Sequence, residues 1–256
     1  MNLLEGLFLG VLQGITEWLP VSSSGQSMLF LINVLHISPE EAFSISATLH
    51  LGSLFAVLYY FRRRLSEIFR GDRELLRFLV IATVASGAVG LPAYLLLKGL
   101  FTSASGEAVT MFIGVMLIIT GMVLKNTGKT ARREVGAKEA ALAGGAQGFS
   151  VLPGISRSGT TIAALLLQGV EQETALYLSF LLAIPAIAGL VAIESGQRMV
   201  NAPVALGVAS SFLVSLVTMH YFIGLAKRID FSNFCIAVGS LAFFIPLLIM
   251  AAETLL

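Results

Sequence analysis

Of the chain's 256 residues, 56% are hydrophobic and 12% charged, and the mean hydropathy is +0.89, about half the charge fraction of a water-soluble domain. That excludes a soluble enzyme, and a formal charge of +1 excludes a nucleic-acid partner held by a basic field. The lone cysteine, Cys235, excludes a disulfide framework and a cysteine-built metal cluster.

The N-terminal MNLLEGLFLG lacks the positive region and cleavage site of a signal peptide and is read as mature structure. Residues 3–35 form an apolar region cut near its middle by PVSSSGQ. An uninterrupted span follows at 42–61, since about 20 apolar residues cross the hydrocarbon core as a helix. The basic run Arg62, Arg63 and Arg64 reads as an ordinary anchor at the membrane surface. Further spans are expected at 78–97 and 109–124. A second interrupted region at 140–167 is cut by PGISRSG, and the last three spans are expected at 174–193, 203–226 and 231–252.

The two interrupted regions match at a constant offset of 134 residues. Gly10, Gln13, Gly14, Ser22, Ser24 and Gly25 fall on Gly144, Gln147, Gly148, Ser156, Ser158 and Gly159, with Pro20 and Pro153 one place out of register. The expected fold is therefore an all-α polytopic membrane protein, one membrane domain over 1–256. It is built as an inverted repeat, 1–124 and 140–256, each unit one re-entrant helical hairpin (3–35 and 140–167) plus three transmembrane helices. Three crossings per unit turn the second copy upside down. In this topology thirteen Lys and Arg lie on one side, against Lys98 and Arg198 on the other. The positive-inside rule makes the rich side cytoplasmic and puts both termini, and the first hairpin, outside. A rival topology, with both interrupted regions as full spans, gives twelve against three.

Irregular backbone at membrane depth must be buried in protein or line a wet cavity, so the two hairpin tips are expected to meet. Ser22, Ser23, Ser24 and Gly25 then approach Ser156, Arg157, Ser158 and Gly159, where two helix N-termini offer free N–H groups to an anion such as phosphate. Glu17 and Arg157 are the deepest charges, and ionisable groups inside a membrane are functional by default; the plainer reading is an ion pair locking the hairpins. Arginine's planar fork suits phosphate. Gln13 and Glu17, one helical turn apart, can offer two oxygens to a hard cation, Mg²⁺ or Ca²⁺, or Gln13 can simply bond a neighbouring helix. The serines offer hydroxyls for attack or for binding, and a nucleophilic hydroxyl needs a base, for which Glu17 is nearest. His50, early in the span after the first hairpin, can face the tip. His36 reads as a turn residue and His220 as a hydrogen-bonded packing residue. Trp18 reads as an apolar wall or as packing.

QGITEWLPVSSSGQ, LPGISRSGTT and the SFLLAIP run at 179–185 closely resemble the bacitracin-resistance type of undecaprenyl-diphosphate phosphatase, over almost the whole chain. The resemblance implies an integral membrane enzyme that removes the terminal phosphate of a polyprenyl diphosphate and recycles the carrier lipid for cell-wall or glycan synthesis. It also implies divalent-metal dependence, two re-entrant hairpins, a plasma-membrane location and a homodimer. Position by position it implies metal ligation at Gln13 and Glu17, a nucleophile at Ser23, and substrate contacts from Ser22, Ser24, Gly25 and Gln26. In the second motif it implies phosphate binding by Arg157 with Ser156, Ser158, Gly159 and Thr161.

Two positions depart from the family pattern. Gln13 stands where the family commonly has Glu, and Gln26 where the first loop usually has His. Glutamine cannot transfer a proton at neutral pH, so His50 is expected to project toward Ser23 in that histidine's place. An alternative function uses the same residues without hydrolysis, as a transporter or flippase of polyprenyl phosphate.

Overall fold

A computed structural model describes residues 1–101, 105–125, 132–193, 201–225 and 231–255. The loop residues Lys129, Arg198, Lys227 and Arg228, used in the charge count, lie outside the described residues. The described chain is almost wholly helical, with one isolated bridge between Arg132 and Val170.

The first interrupted region folds as α1 (Leu3–Thr16) and α2 (Ser23–Asn33). Asn2 and Glu5 close a capping box at the start of α1, which is the use the chain makes of Glu5. At 1.5 Å per residue the two helices are about 21 and 17 Å long, and neither crosses a hydrocarbon core of about 30 Å. The second interrupted region repeats the form, with α7 (Ala137–Gly148), one 3₁₀ turn at Phe149–Val151, and α8 (Arg157–Leu167).

Five helices are long and apolar enough to cross a membrane among the described residues: α3 (Pro39–Tyr60), α5 (Arg73–Phe101), α6 (Gly106–Lys125), α9 (Gln172–Ile193) and α10 (Ala202–Leu225). The sixth expected span lies within α11 (Phe231–Leu255), whose stretch Cys235–Leu248 is apolar but shorter. The multi-pass membrane class read from composition therefore holds. Helices α3, α5 and α6 begin three to five residues earlier than hydropathy indicates, because polar caps extend them, Ser38 serving α3. Asp72 Oδ1 accepts the Leu75 N–H at 3.1 Å at the head of α5, and Ser105 Oγ accepts the Ala108 N–H at 3.3 Å at the head of α6.

The basic run 62–64 opens a short amphipathic helix, α4 (Arg62–Arg70), that hydropathy does not reveal. It is more than an anchor. Arg64 donates to Tyr177 Oη (2.7 Å), Glu67 (3.0 Å) and Asp72 (2.7 Å), tying α4 to α9 and to the head of α5.

Helices pack across the two halves of the sequence: α1 lies along α10, α7 along α5, and α6 along α11. Glycines permit the close approach. A Cβ on Gly10 would stand 2.1 Å from the Gly207 carbonyl oxygen, and one on Gly144 2.1 Å from that of Ala82. Without a hydrophobic force between helices in lipid, such contact is what holds them together. One apolar core gathers Trp18, the second half of α3 and the first half of α9; another gathers Leu9, Met28 and Leu31 with α6. His220, read as a hydrogen-bonded packing residue, is instead exposed, its ring edge-on to Tyr221.

Candidate active site

The tips of the two interrupted hairpins meet. Ser158 Oγ donates to the Leu19 carbonyl at 2.8 Å, and Ser156 Oγ reaches the same oxygen at 3.4 Å. In return Ser22 Oγ accepts the Gly154 N–H at 3.0 Å and the Gly25 N–H at 3.3 Å. Ser22 reaches both by adopting φ 58°, a left-handed conformation that costs a non-glycine residue about 1–3 kcal/mol and collects at functional sites. Its hydroxyl is thus the clasp between the tips.

Four reactive side chains converge behind this clasp, from α1's end, α2's first turn, α3 and α8's first turn. Glu17, 5% exposed, is their centre. Its Oε1 accepts Arg157 Nη2 at 2.7 Å. Its Oε2 accepts Ser23 Oγ at 2.6 Å and Gln13 Nε2 at 2.8 Å, and lies 3.2 Å from His50 Nε2. His50 Nε2 is 3.4 Å from Ser23 Oγ, while Nδ1 lies 2.7 Å from the Ser46 carbonyl. Both nitrogens therefore face acceptors, and the ring satisfies both contacts only when it carries two N–H groups. Arg157 is held at its other end by the Ser179 carbonyl, 2.9 Å from Nη1, and its guanidinium carbon is 5.9 Å from the centroid of the Trp18 ring. Trp18 in turn packs edge-on against Phe180, so it is packing beneath the arginine.

These groups open on a cavity of about 260 Å³, lined also by Ser22, Ser24 and Ser156, and walled by apolar and small residues of α5 and α9 such as Gly87, Leu91, Ala186 and Leu190. Glu17 is thus shared between Arg157 and His50. Arg157, always charged and with a donor to spare at the cavity, suits an anion.

Several expected substrate contacts lie elsewhere. Gln26 does not line the cavity; its Nε2 donates to the Val21 carbonyl at 3.1 Å, bracing its own hairpin. Gly25 and Gly159 are tip-packing glycines whose N–H groups are used by the Ser22 and Ser156 caps. A Cβ on Gly25 would sit 3.0 Å from Gly154 N. Ser158 is spent on Leu19, and Thr161 donates to Gln147 and to the Arg157 carbonyl. These four act on the shape of the tip rather than on the cavity. Ser46, Thr83, Ser86, Tyr94, Gln147 and Ser150 are cavity-lining polar residues that sequence reasoning missed.

A divalent cation at Gln13 and Glu17 can be tested against the donors present. Gln13 is fully buried and its Oε1 has no hydrogen-bond partner, beside a carboxylate. An amide oxygen and a carboxylate are the ligands a hard cation takes. Among the described residues no group of three His, Cys, Asp and Glu side chains could hold a metal ion. In kind these donors match an ion of the Mg²⁺ type, commonly held by one or two protein oxygens and completed by water and phosphate; to take one, Glu17 Oε2 would exchange its bonds to Gln13 and His50, and Gln13 does not itself line the cavity.

Residues 6–243 match the family model described as "Bacitracin resistance protein BacA". The chain is 42% identical over 245 residues to a protein named undecaprenyl-diphosphatase from Methanothrix thermoacetophila, covering 93% of this chain and 95% of the relative. It is 41% identical over 261 residues to one of the same name from Methanopyrus kandleri, covering 96% and 97%. A relative of that name from Sulfurisphaera tokodaii is 31% identical over 261 residues, covering 97% and 98%.

Proposed function

The chain belongs to the BacA bacitracin-resistance family, and from that membership we propose that it hydrolyses the terminal phosphate of a polyprenyl diphosphate of the undecaprenyl kind. The single observation that carries the reading is Glu17 poised between Ser23, His50 and Arg157 on the floor of a cavity that is apolar on its far walls. Nothing in the comparisons supports the transporter reading.

The geometry supports a balanced sequence. Arg157 binds the terminal phosphate and Ser23 Oγ attacks its phosphorus in line, giving its proton to Glu17. The bond from phosphorus to the bridging oxygen breaks, and His50 gives its Nε2 proton to that oxygen as the lipid monophosphate leaves. Water then attacks the phosphoserine and its proton goes to the now neutral His50. The seryl oxygen recovers its proton from Glu17, and orthophosphate departs. Arg157, anchored at both ends, needs no rearrangement as charge develops. A Mg²⁺ or Ca²⁺ ion held by Glu17 and Gln13 would supply charge neutralisation on the diphosphate oxygens.

The inverted arrangement of two re-entrant hairpins and six spans belongs to the same reading. It is supported by the 134-residue repeat and by the exchange in which α1 lies along α10 and α7 along α5. The excess of Lys and Arg in the loops after α3, α6 and α10 supports an outward-facing site and outer termini in a plasma membrane. The homodimer implied by the family resemblance is expected as a species of twice the 27.2 kDa chain mass in detergent.

Purified protein given farnesyl diphosphate and Mg²⁺ is expected to release orthophosphate and leave the monophosphate, and a chelator is expected to stop it. Release of pyrophosphate, or of nothing, contradicts the proposal.

A further inference from the structure

Ser46 is 1% exposed, lines the cavity, and its Oγ has no hydrogen-bond partner. Ser27 and Ser179 also carry buried, unpartnered hydroxyls, but Ser46 alone of the three lines the cavity. Thr48 and Thr83 each return the hydroxyl to the carbonyl four residues back, at 2.8 and 2.7 Å, the ordinary solution for a hydroxyl inside a helix. A buried hydroxyl left unpaired costs free energy, and most native structures avoid it. Ser46 lies one turn before His50 on the same face of α3, and its own carbonyl fixes the His50 ring.

A second donor beside the same cavity is also unspent. Arg157 uses Nη1 on Ser179 and Nη2 on Glu17, yet its buried Nε has no partner. The cavity, at about 260 Å³, is far larger than the roughly 10–15 Å³ that a single water requires. Two orphaned donors around one cavity await acceptor oxygens.

Building on the function proposed above, we propose that Ser46 binds the phosphate that stays on the lipid. Arg157 and Ser23 handle the phosphate that leaves, and Ser46 donates to an oxygen of the inner one. The pair selects a diphosphate over a monophosphate, because only the former reaches both subsites.

Methylenediphosphonate, whose P–C–P link cannot be hydrolysed, and orthophosphate serve as probes by calorimetry on the purified protein. Ser46→Ala is expected to weaken methylenediphosphonate about tenfold, the loss of one hydrogen bond to a charged group, while orthophosphate affinity changes less than about twofold. Ser46→Thr, which keeps the hydroxyl, restores binding. With farnesyl diphosphate the alanine variant raises KM and spares kcat, as loss of uniform binding does.

Equal weakening of both probes, unchanged affinity for both, or failure of methylenediphosphonate to bind the unaltered protein would each overturn the assignment. If the unaltered protein binds the diphosphonate in a Ser46-dependent way but releases no phosphate from farnesyl diphosphate, the subsite stands and the hydrolytic reading falls.

Discussion

Glu17 and Arg157 stand 140 positions apart in the chain and close an ion pair of 2.7 Å in which the Glu17 side chain is 3% and the Arg157 side chain 11% exposed. Each comes from the broken tip of a different hairpin, so the pair exists only when both hairpins are seated. A buried pair of this kind adds little net stability, but removing one partner strands a charge at a cost of about 3–5 kcal/mol. Its value lies in orientation. Arg157 spans the Ser179 carbonyl and Glu17 at once, and lysine, a point charge without a fork, cannot do so. Arg157→Lys is therefore expected to fold, because a cation still faces Glu17, and to lose about 10²- to 10³-fold in kcat, the loss typical of a removed charge-stabilising donor. Thermal unfolding and phosphate release on the same preparation check both halves.

His50 and Gln26 make opposite predictions. The His50 ring touches both Glu17 and Ser23, and His50→Ala is expected to cost about 10²- to 10⁴-fold in turnover, the usual worth of general acid–base help. Gln26→His, although it restores the family's usual residue, is expected to change turnover by less than about tenfold, because position 26 is turned onto the Val21 carbonyl and away from the cavity. A large gain from that substitution would show that the first loop, not α3, carries the proton.

Gly144 is a packing residue that chemistry does not touch. Its missing Cβ leaves room for the Ala82 carbonyl, 2.1 Å from where that carbon would be. The obstacle is backbone rather than a movable side chain, so Gly144→Ala is expected to push α7 off α5 and lower stability by about 1–3 kcal/mol. Gly145, beside it, has nothing within 4 Å of an added Cβ, and Gly145→Ala is expected to be neutral or slightly stabilising. Detergent-solubilised unfolding midpoints compare the two.

Much of this site is legible in the sequence because membranes make polarity conspicuous. Glu17 and Arg157 stand out as charges deep in apolar regions, and the shared Gln-Gly and Ser-x-Ser-Gly patterns announce that the two tips are counterparts. His50 is legible by its place one helix after the loop that lacks a histidine. Ser46 is not, since one hydroxyl within a span carries no signal until its missing partner is seen. The tip residues Gly25, Ser158, Gly159 and Thr161 share their motifs with the reacting groups, and sequence alone does not separate a residue that binds an anion from one that shapes the turn presenting it. Helix α4 was hidden because its charged residues lower hydropathy, while its one fully inward residue, Ile68, is too little to register as a span.

Glu17 is proposed as the group that takes the Ser23 proton while holding Arg157 and His50 in place. Phosphate release from farnesyl diphosphate by Glu17→Gln, compared with the unaltered protein, tests this most directly, because glutamine keeps the shape and removes the charge. Turnover is expected to fall about 10²- to 10⁴-fold in a protein that still unfolds cooperatively. Turnover within a few-fold of the unaltered protein would contradict the assignment.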